Sequence, residues 1–112
     1  MDYCRQQYPK SIDYVMASFT LNESGYYIYN IGLNATLHTN TDNAIMIGRF
    51  TLLTPTENDV NNQVLPLTQY LSQSIIINGL KYFDAESKFR CTINSNVEIH
   101  ADGVILKIYK LF

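Results

Sequence analysis

The clearest pattern in the sequence is the strict alternation of two sets of residues along positions 26–38. Successive side chains of an extended chain point to opposite faces, so a period of two predicts a β-strand with one buried face. Gly25 precedes the segment and a polar run at 39–43 follows it, and both are typical of turns. The residues predicted to face inward are Tyr27, Tyr29, Ile31, Leu33, Ala35 and Leu37.

Three other segments show the same alternation and predict shorter strands. They are residues 13–21, 88–93 and 97–101, and the turn-forming residues 94–96 between the last two predict a β-hairpin. The residues that these segments are predicted to bury are Val15, Ala17, Phe19, Leu21, Phe89, Cys91, Ile93, Val97, Ile99 and Ala101.

The pattern is less regular in the middle of the chain. Residues 44–53 are rich in β-formers, but their apolar phase changes at Gly48, which predicts a β-bulge there. Residues 55–66 are polar and predict an exposed loop. Residues 67–78 predict a strand that turns at Asn78-Gly79, with 80–83 continuing the pairing.

The last segment, residues 104–112, is apolar on both faces for most of its length. It follows Asp102-Gly103. A strand that is apolar on both faces must be covered on both faces. In a small sandwich the second cover has to come from another subunit, so this segment predicts an oligomer.

Seven to nine short strands separated by turn signals predict an all-β fold for this chain of 112 residues. The expected architecture is a single antiparallel β-sandwich or jelly roll over residues 1–112, with residues 1–12 as a candidate N-terminal arm.

Composition narrows the classes of partner. The net charge is −2, and the eight basic residues are scattered, which is not the basic patch of a nucleic-acid-binding protein. The sequence has no apolar run near the roughly 20 residues that cross a bilayer, and residues 1–7 lack the pattern of a secretory signal peptide. Neither nucleic acid nor a membrane is therefore expected as a partner. Nine tyrosines and many asparagines favour contact through aromatic and amide groups.

Candidate chemistry is sparse. His100 lies between Glu98 and Asp102 on the polar face of a predicted strand, where the three side chains could converge on one ion. A solvated outer face is the favoured interpretation, because closed metal sites use more and softer ligands.

Asp84 and Glu86 lie in a predicted turn and are interpreted as loop charges rather than a glycosidase pair.

Two further observations complete the chemical survey. Cys4 and Cys91 are predicted to be free, mostly buried thiols rather than a disulfide. The common catalytic motifs are absent from the sequence. We therefore expect no enzymatic activity, no metal and no cofactor.

Two segments, residues 23–33 and 101–109, resemble strands of the C1q and tumour-necrosis-factor jelly rolls. The first resembles the strand in which Gly-x-Tyr-x precedes an apolar residue, and the second resembles the closing strand. The resemblance extends over about the last 90 residues and implies a ten-stranded jelly roll that forms tight trimers. It also implies a set of candidate interface residues, for which a plain core position is an equally weighted alternative. These residues are Tyr27, Tyr29, Ile105, Tyr109 and Leu111.

Modules similar to this one occur at the tips of bacteriophage head and tail fibres. The first hypothesis is therefore a non-enzymatic structural or adhesive virion protein, a homotrimer assembled in the host cytoplasm. Its partners would be other virion proteins and, as a further candidate, a host surface glycan or receptor. The second hypothesis is a monomeric ligand-binding module, such as a carbohydrate-binding sandwich that uses exposed Tyr and Asn. The third is an enzyme or enzyme inhibitor, which needs a pocket that holds His38 or His100 beside carboxylates.

Overall fold

Every regular element in the described part of the chain is a β-strand. A computed structural model describes residues 6–8, 13–38 and 42–111. Cys4, most of the candidate arm at 1–12, part of the turn at 39–43 and Phe112 lie outside the described residues. The strands are β1 (Gln6–Tyr8), β2 (Tyr14–Leu21), β3 (Gly25–Thr36), β4 (Ile45–Thr54), β5 (Asn58–Pro66), β6 (Ser72–Phe83), β7 (Ser87–Ser95) and β8 (Ile99–Lys110).

The strands form two four-stranded antiparallel sheets. Sheet A has the order β1-β8-β3-β6, and sheet B has the order β2-β7-β4-β5. The first strand pairs with the last, the second with the seventh, the third with the sixth and the fourth with the fifth. This nested pairing is that of an eight-stranded jelly roll, so the predicted fold class is confirmed. The resemblance implies ten strands, whereas the described residues form eight.

Strand β3 builds the centre of sheet A, with β6 on one side and β8 on the other. Its odd-numbered residues from Tyr27 to Ala35 are all buried, as the alternation predicts. They meet aromatic residues of sheet B across the sandwich, since the Tyr29 and Phe50 rings lie 5.0 Å apart. Phe50 in turn stacks on Phe89 at 5.2 Å. The core therefore lies between the sheets and is rich in aromatic rings.

Strand β5 corrects the prediction of a loop at 55–66. Residues 58–66 pair with β4 along one edge of sheet B, and most of their side chains are exposed. An edge strand with polar residues on both faces has no alternation, so its sequence is hard to distinguish from that of a loop. The polar side chains also protect the edge from pairing with another chain.

The predicted turn at Asn78-Gly79 is also wrong, because β6 runs straight through both residues. Asn78 pairs with Asn30 and Gly79 pairs with Tyr29. A Cβ atom at residue 79 would lie 2.5 Å from Tyr29 Oη. Gly79 therefore makes room for the tyrosine ring rather than a change of chain direction.

Gly48 has a related role, and the bulge predicted there is wrong. Met46, Gly48 and Phe50 all face inward in one phase of β4. A Cβ atom at residue 48 would lie 3.0 Å from side-chain carbons of Ile75 and Leu33. The glycine lets the two sheets approach closely, and the irregularities of β4 lie nearer its end, at 50–51 and 52–54.

The hairpin predicted around residues 94–96 is wrong as well, because β7 belongs to sheet B and β8 to sheet A. The connection crosses from one sheet to the other. At Asp102-Gly103 the register shifts within β8, since Gly103 pairs with Asn34 and Ala101 with the next residue, Ala35. Asp102 is the extra residue of this bulge.

A second register shift explains the exposed Val15. The pairing of β2 with β7 slips between Val15 and Ala17, so the alternation predicted for this strand does not extend through it. Val15 is 52% exposed, whereas Leu21 at the other end is buried as predicted.

Across the described ranges no helix is long and apolar enough to span a membrane.

We expect Gly79→Ala to destabilise the fold by about 1–3 kcal/mol, because the added methyl group overlaps the Tyr29 ring. Urea unfolding followed by far-UV circular dichroism measures the change. Gly103→Ala is the matched control, since a Cβ atom there meets nothing within 4 Å. Equal stability losses in the two variants would contradict the packing role of Gly79.

Candidate functional site

The outer face of sheet A carries large apolar side chains in the positions that solvent reaches. The register places Tyr26 beside Tyr82, and Ile28 between Leu80 and Tyr109. Eight side chains on this face are between 42% and 63% exposed. We call them the apolar face: Tyr26, Ile28, Ile76, Leu80, Tyr82, Ile105, Tyr109 and Leu111.

The apolar face is large for a chain of this size. Taking about 200 Å² for each fully exposed side chain, the exposed area of the eight residues is on the order of 800 Å². Six adjoining members, Tyr26, Ile28, Leu80, Tyr82, Tyr109 and Leu111, contribute about 600 Å² of this area. That is the upper end of the roughly 300–600 Å² found for the largest apolar patch of a typical monomer. One partner in a standard protein interface buries about 800 Å². The apolar face therefore has the area of an interaction surface.

A polar row divides the apolar face. Asn30 lies in the middle strand, with Asn78 on one side and Lys107 on the other. All three residues are exposed. A partner has to match this row with hydrogen-bonding groups, because burying a charged ammonium without a partner group costs free energy. The row therefore favours one docking register over others.

Gly32 forms the floor of a groove in the apolar face. It pairs with Ile76 on one side and Ile105 on the other, and the groove has a volume of about 290 Å³. A Cβ atom at Gly32 would lie 3.6 Å from Ile76 and 3.7 Å from Ile105, which are ordinary contacts. Gly32 is therefore not required by the monomer's packing, and its missing side chain leaves room for a group from outside.

One end of the groove is closed by a hydrogen-bonded polar cluster. The Thr36 hydroxyl donates to the Asp102 carboxylate. Ser72 Oγ lies 2.7 Å from Asn34 Oδ1 and 3.2 Å from Asp102 Oδ2. Asn34 Nδ2 donates to Ser74 Oγ at 2.8 Å. These bonds hold the bulge of β8 against β3 and β6, so the end of the groove is built from fixed side chains.

The two histidines meet beside this cluster. The ring centroids of His38 and His100 are 4.5 Å apart. The ring centroid of Tyr70 is 6.0 Å from that of His38. A convergence of Glu98, His100 and Asp102 on one ion was the less favoured interpretation of the sequence. Within residues 13–38 and 42–111, no three His, Cys, Asp or Glu side chains are placed to hold a metal ion.

The candidate interface residues divide into two groups. Ile105, Tyr109 and Leu111 belong to the apolar face. Tyr27 and Tyr29 are only 6% and 5% exposed and lie in the core, which is the alternative that the sequence left open. Their side chains occupy the inward phase of β3, so the outward positions of this strand belong to its even-numbered residues.

Five members of the apolar face were missed by sequence reasoning. The missed residues are Tyr26, Ile28, Ile76, Leu80 and Tyr82. The signal was present in the runs Tyr26-Tyr27-Ile28-Tyr29 and Ile75-Ile76-Ile77, which are apolar in both phases. The same two-faced pattern pointed to Ile105 and Tyr109, and applying it to β3 and β6 would have found the rest.

Three further candidate residues, Asp84, Glu86 and Cys91, lie away from the apolar face. Asp84 and Glu86 are exposed between β6 and β7, and Glu86 has a left-handed backbone with φ of 65°. Cys91 is a free, buried thiol in the core, and burial raises its pKa to about 12. A thiol with this pKa is almost entirely protonated at neutral pH, so it is a poor nucleophile.

We expect Cys91 to resist alkylation in the folded protein. At pH 8 a pKa of about 12 leaves roughly one thiol in ten thousand ionised, and the side chain is buried. Iodoacetamide treatment followed by peptide mass spectrometry should find Cys91 unmodified in buffer and modified in concentrated urea. Rapid modification of Cys91 in buffer would contradict its buried position.

No protein-family model matches this sequence, and the search of curated proteins finds no match to it either. Function is therefore inferred from the fold and from the chemistry of its surfaces.

Proposed function

We propose that this chain is a non-enzymatic structural or adhesive module that assembles with copies of itself through the apolar face of sheet A. The observation that carries the proposal is the set of eight exposed apolar side chains, seven on three neighbouring strands and Leu111 directly after β8. A sheet face that stays in water normally carries polar residues. A second copy of the same chain supplies a cover of matching apolar character.

The area and layout of the apolar face support a specific assembly. Its extent, on the order of 800 Å², is what one partner buries in a standard interface. The polar row of Asn30, Asn78 and Lys107 supplies hydrogen-bonding groups in the middle of the face. The groove above Gly32 accepts a side chain from the neighbouring copy. A largely apolar surface that also carries a few hydrogen-bonding groups and a pocket is common among protein interfaces.

The proposed assembly is a homotrimer that forms part of a virion. The number of subunits comes from the resemblance to the C1q and tumour-necrosis-factor modules, whose trimers pack around a threefold axis. The eight-stranded order of sheets A and B is also that of viral capsid jelly rolls, a fold shared with lectins and cupins. The proposed partners are copies of the chain, other virion proteins and a host surface glycan or receptor.

A specific observation favours a second candidate function, a monomeric carbohydrate-binding sandwich. Tyr26 and Tyr82 form an edge-on pair at 5.4 Å, and Tyr109 lies in the adjoining row. Exposed tyrosine rings can stack on the apolar faces of sugars while their hydroxyl groups form hydrogen bonds. This platform is available to a ligand only if the face is not covered by another subunit.

Solution mass separates the two candidates. We expect light scattering coupled to size exclusion to give three times the chain mass of 12.9 kDa, with little change over a tenfold dilution. A stable trimer supports the assembly. A monomer at every concentration would overturn the assembly and favour the carbohydrate-binding sandwich.

Leu80→Lys should break the assembly without unfolding the chain. Leu80 is 60% exposed in the apolar face, so a lysine is tolerated by the monomer but brings an uncompensated charge into the interface. We expect at least a tenfold weaker association, measured by sedimentation equilibrium.

Val64→Lys is the matched control, because Val64 is 57% exposed on β5 of the opposite sheet. It should leave the mass unchanged. If Val64→Lys dissociates the assembly and Leu80→Lys does not, the interface lies on sheet B instead. Circular dichroism of both variants confirms that each chain is folded.

A further inference from the structure

The outer face of sheet B contains a polar cleft of about 370 Å³. It lies across β4, β5 and β7, and every side chain that lines it is charged or carries a hydroxyl or amide group. This volume falls in the usual range of small-molecule sites, about 300–1,000 Å³. Because the lining is polar throughout, the cleft suits a ligand that offers many hydrogen bonds and little apolar surface.

Most of the charged groups in the cleft are held by neighbours. Arg49 Nη1 forms an ion pair with Asp13 Oδ1 at 2.9 Å. Thr51 Oγ1 donates to Asp59 Oδ1 at 3.0 Å. These bonds fix the carboxylates of Asp13 and Asp59 in place, so the cleft presents acceptors in defined positions.

Arg90 is different. It lies on β7 opposite Thr51, and its guanidinium forms no hydrogen bond or ion pair within the described part of the chain. Its Nε atom is buried without a partner. A guanidinium stays charged at every physiological pH and has five N–H donors, so acceptors have to come from outside the fold. The cleft therefore combines donors that need acceptors with carboxylates that are already ordered.

We infer that this cleft binds an uncharged saccharide. A sugar hydroxyl both donates and accepts, so neighbouring hydroxyls can accept from Arg90 and donate to Asp59 at the same time. The cleft holds three carboxylates, Asp13, Glu57 and Asp59, against two guanidinium groups, which disfavours an anionic ligand. An uncharged ligand avoids that repulsion and still uses both kinds of group.

The position of the cleft makes it independent of the proposed assembly. The apolar face belongs to sheet A, and the cleft opens on the opposite side of the sandwich. Assembly through sheet A would leave one open cleft on each subunit. Several linked sites of low affinity can then hold a glycan-coated surface together more tightly than any single site.

NMR titration with neutral methyl glycosides of glucose, galactose, mannose and N-acetylglucosamine tests the inference. We expect at least one of them to give saturable shifts of the Arg90 Nε–H signal and of the Thr51 and Thr92 amides. Arg90→Gln should weaken that binding at least tenfold. Lys88→Gln, which removes the same charge from an exposed position on the same strand outside the cleft, should leave it unchanged.

Three results would overturn the inference. The first is that none of these glycosides shifts the cleft signals. The second is that glucuronate shifts them and the neutral glycosides do not, because the cleft then prefers an anion. The third is that the shifts occur at Tyr26 and Tyr82, which supports the carbohydrate-binding platform on sheet A instead.

The same titration on Leu80→Lys separates this inference from the proposed function. Saccharide binding retained in a monomeric Leu80→Lys supports the cleft, whatever the fate of the assembly. A wild-type monomer that binds saccharide at the cleft would overturn only the assembly. A trimer without cleft binding would overturn only the inference.

Discussion

The structure depends on the pairing of β3 with strands on both sides. Twelve residues of β3 pair with β6 in unbroken register, and most of the same residues pair with β8. A slip of one residue would exchange the two faces of the strand. It would expose Tyr29 and bury Asn30, so the core and the apolar face are fixed by the same register. The space left by Gly79 for the Tyr29 ring holds that register in place.

The two outer faces of the sandwich have opposite chemistry. Sheet A presents Leu80, Tyr109 and their neighbours, while the corresponding face of sheet B presents a cleft lined by arginines, acids and threonines. An apolar face gains free energy by leaving water, whereas a polar cleft exchanges hydrogen bonds with a ligand. The first is suited to permanent assembly and the second to reversible binding. A sandwich can carry both because its core separates the two faces.

Sequence patterns succeeded where one face of a strand is buried and failed where tertiary packing overrides local preference. The alternation in β3 and around Phe89 in β7 predicted the inward residues correctly. Asn78-Gly79 has the composition of a hairpin turn, but the space needed by the Tyr29 ring explains Gly79 inside a strand. The polar edge strand β5 lacks the alternation from which strands are recognised. For the surface, the two-faced pattern near Tyr109 was informative, and the same pattern in β6 was overlooked.

The sequence by itself determined that this chain is an all-β sandwich and which phase of its main strands is buried, because a period of two is a local property of the chain. It also pointed to an uncovered apolar surface through the two-faced segment around Ile105. Only the tertiary structure decided which strands are neighbours, since β7 and β8 lie in different sheets although a short turn joins them. It alone brought Tyr26 beside Tyr82, and Arg90 beside Thr51, because such contacts depend on strand order and register between distant segments.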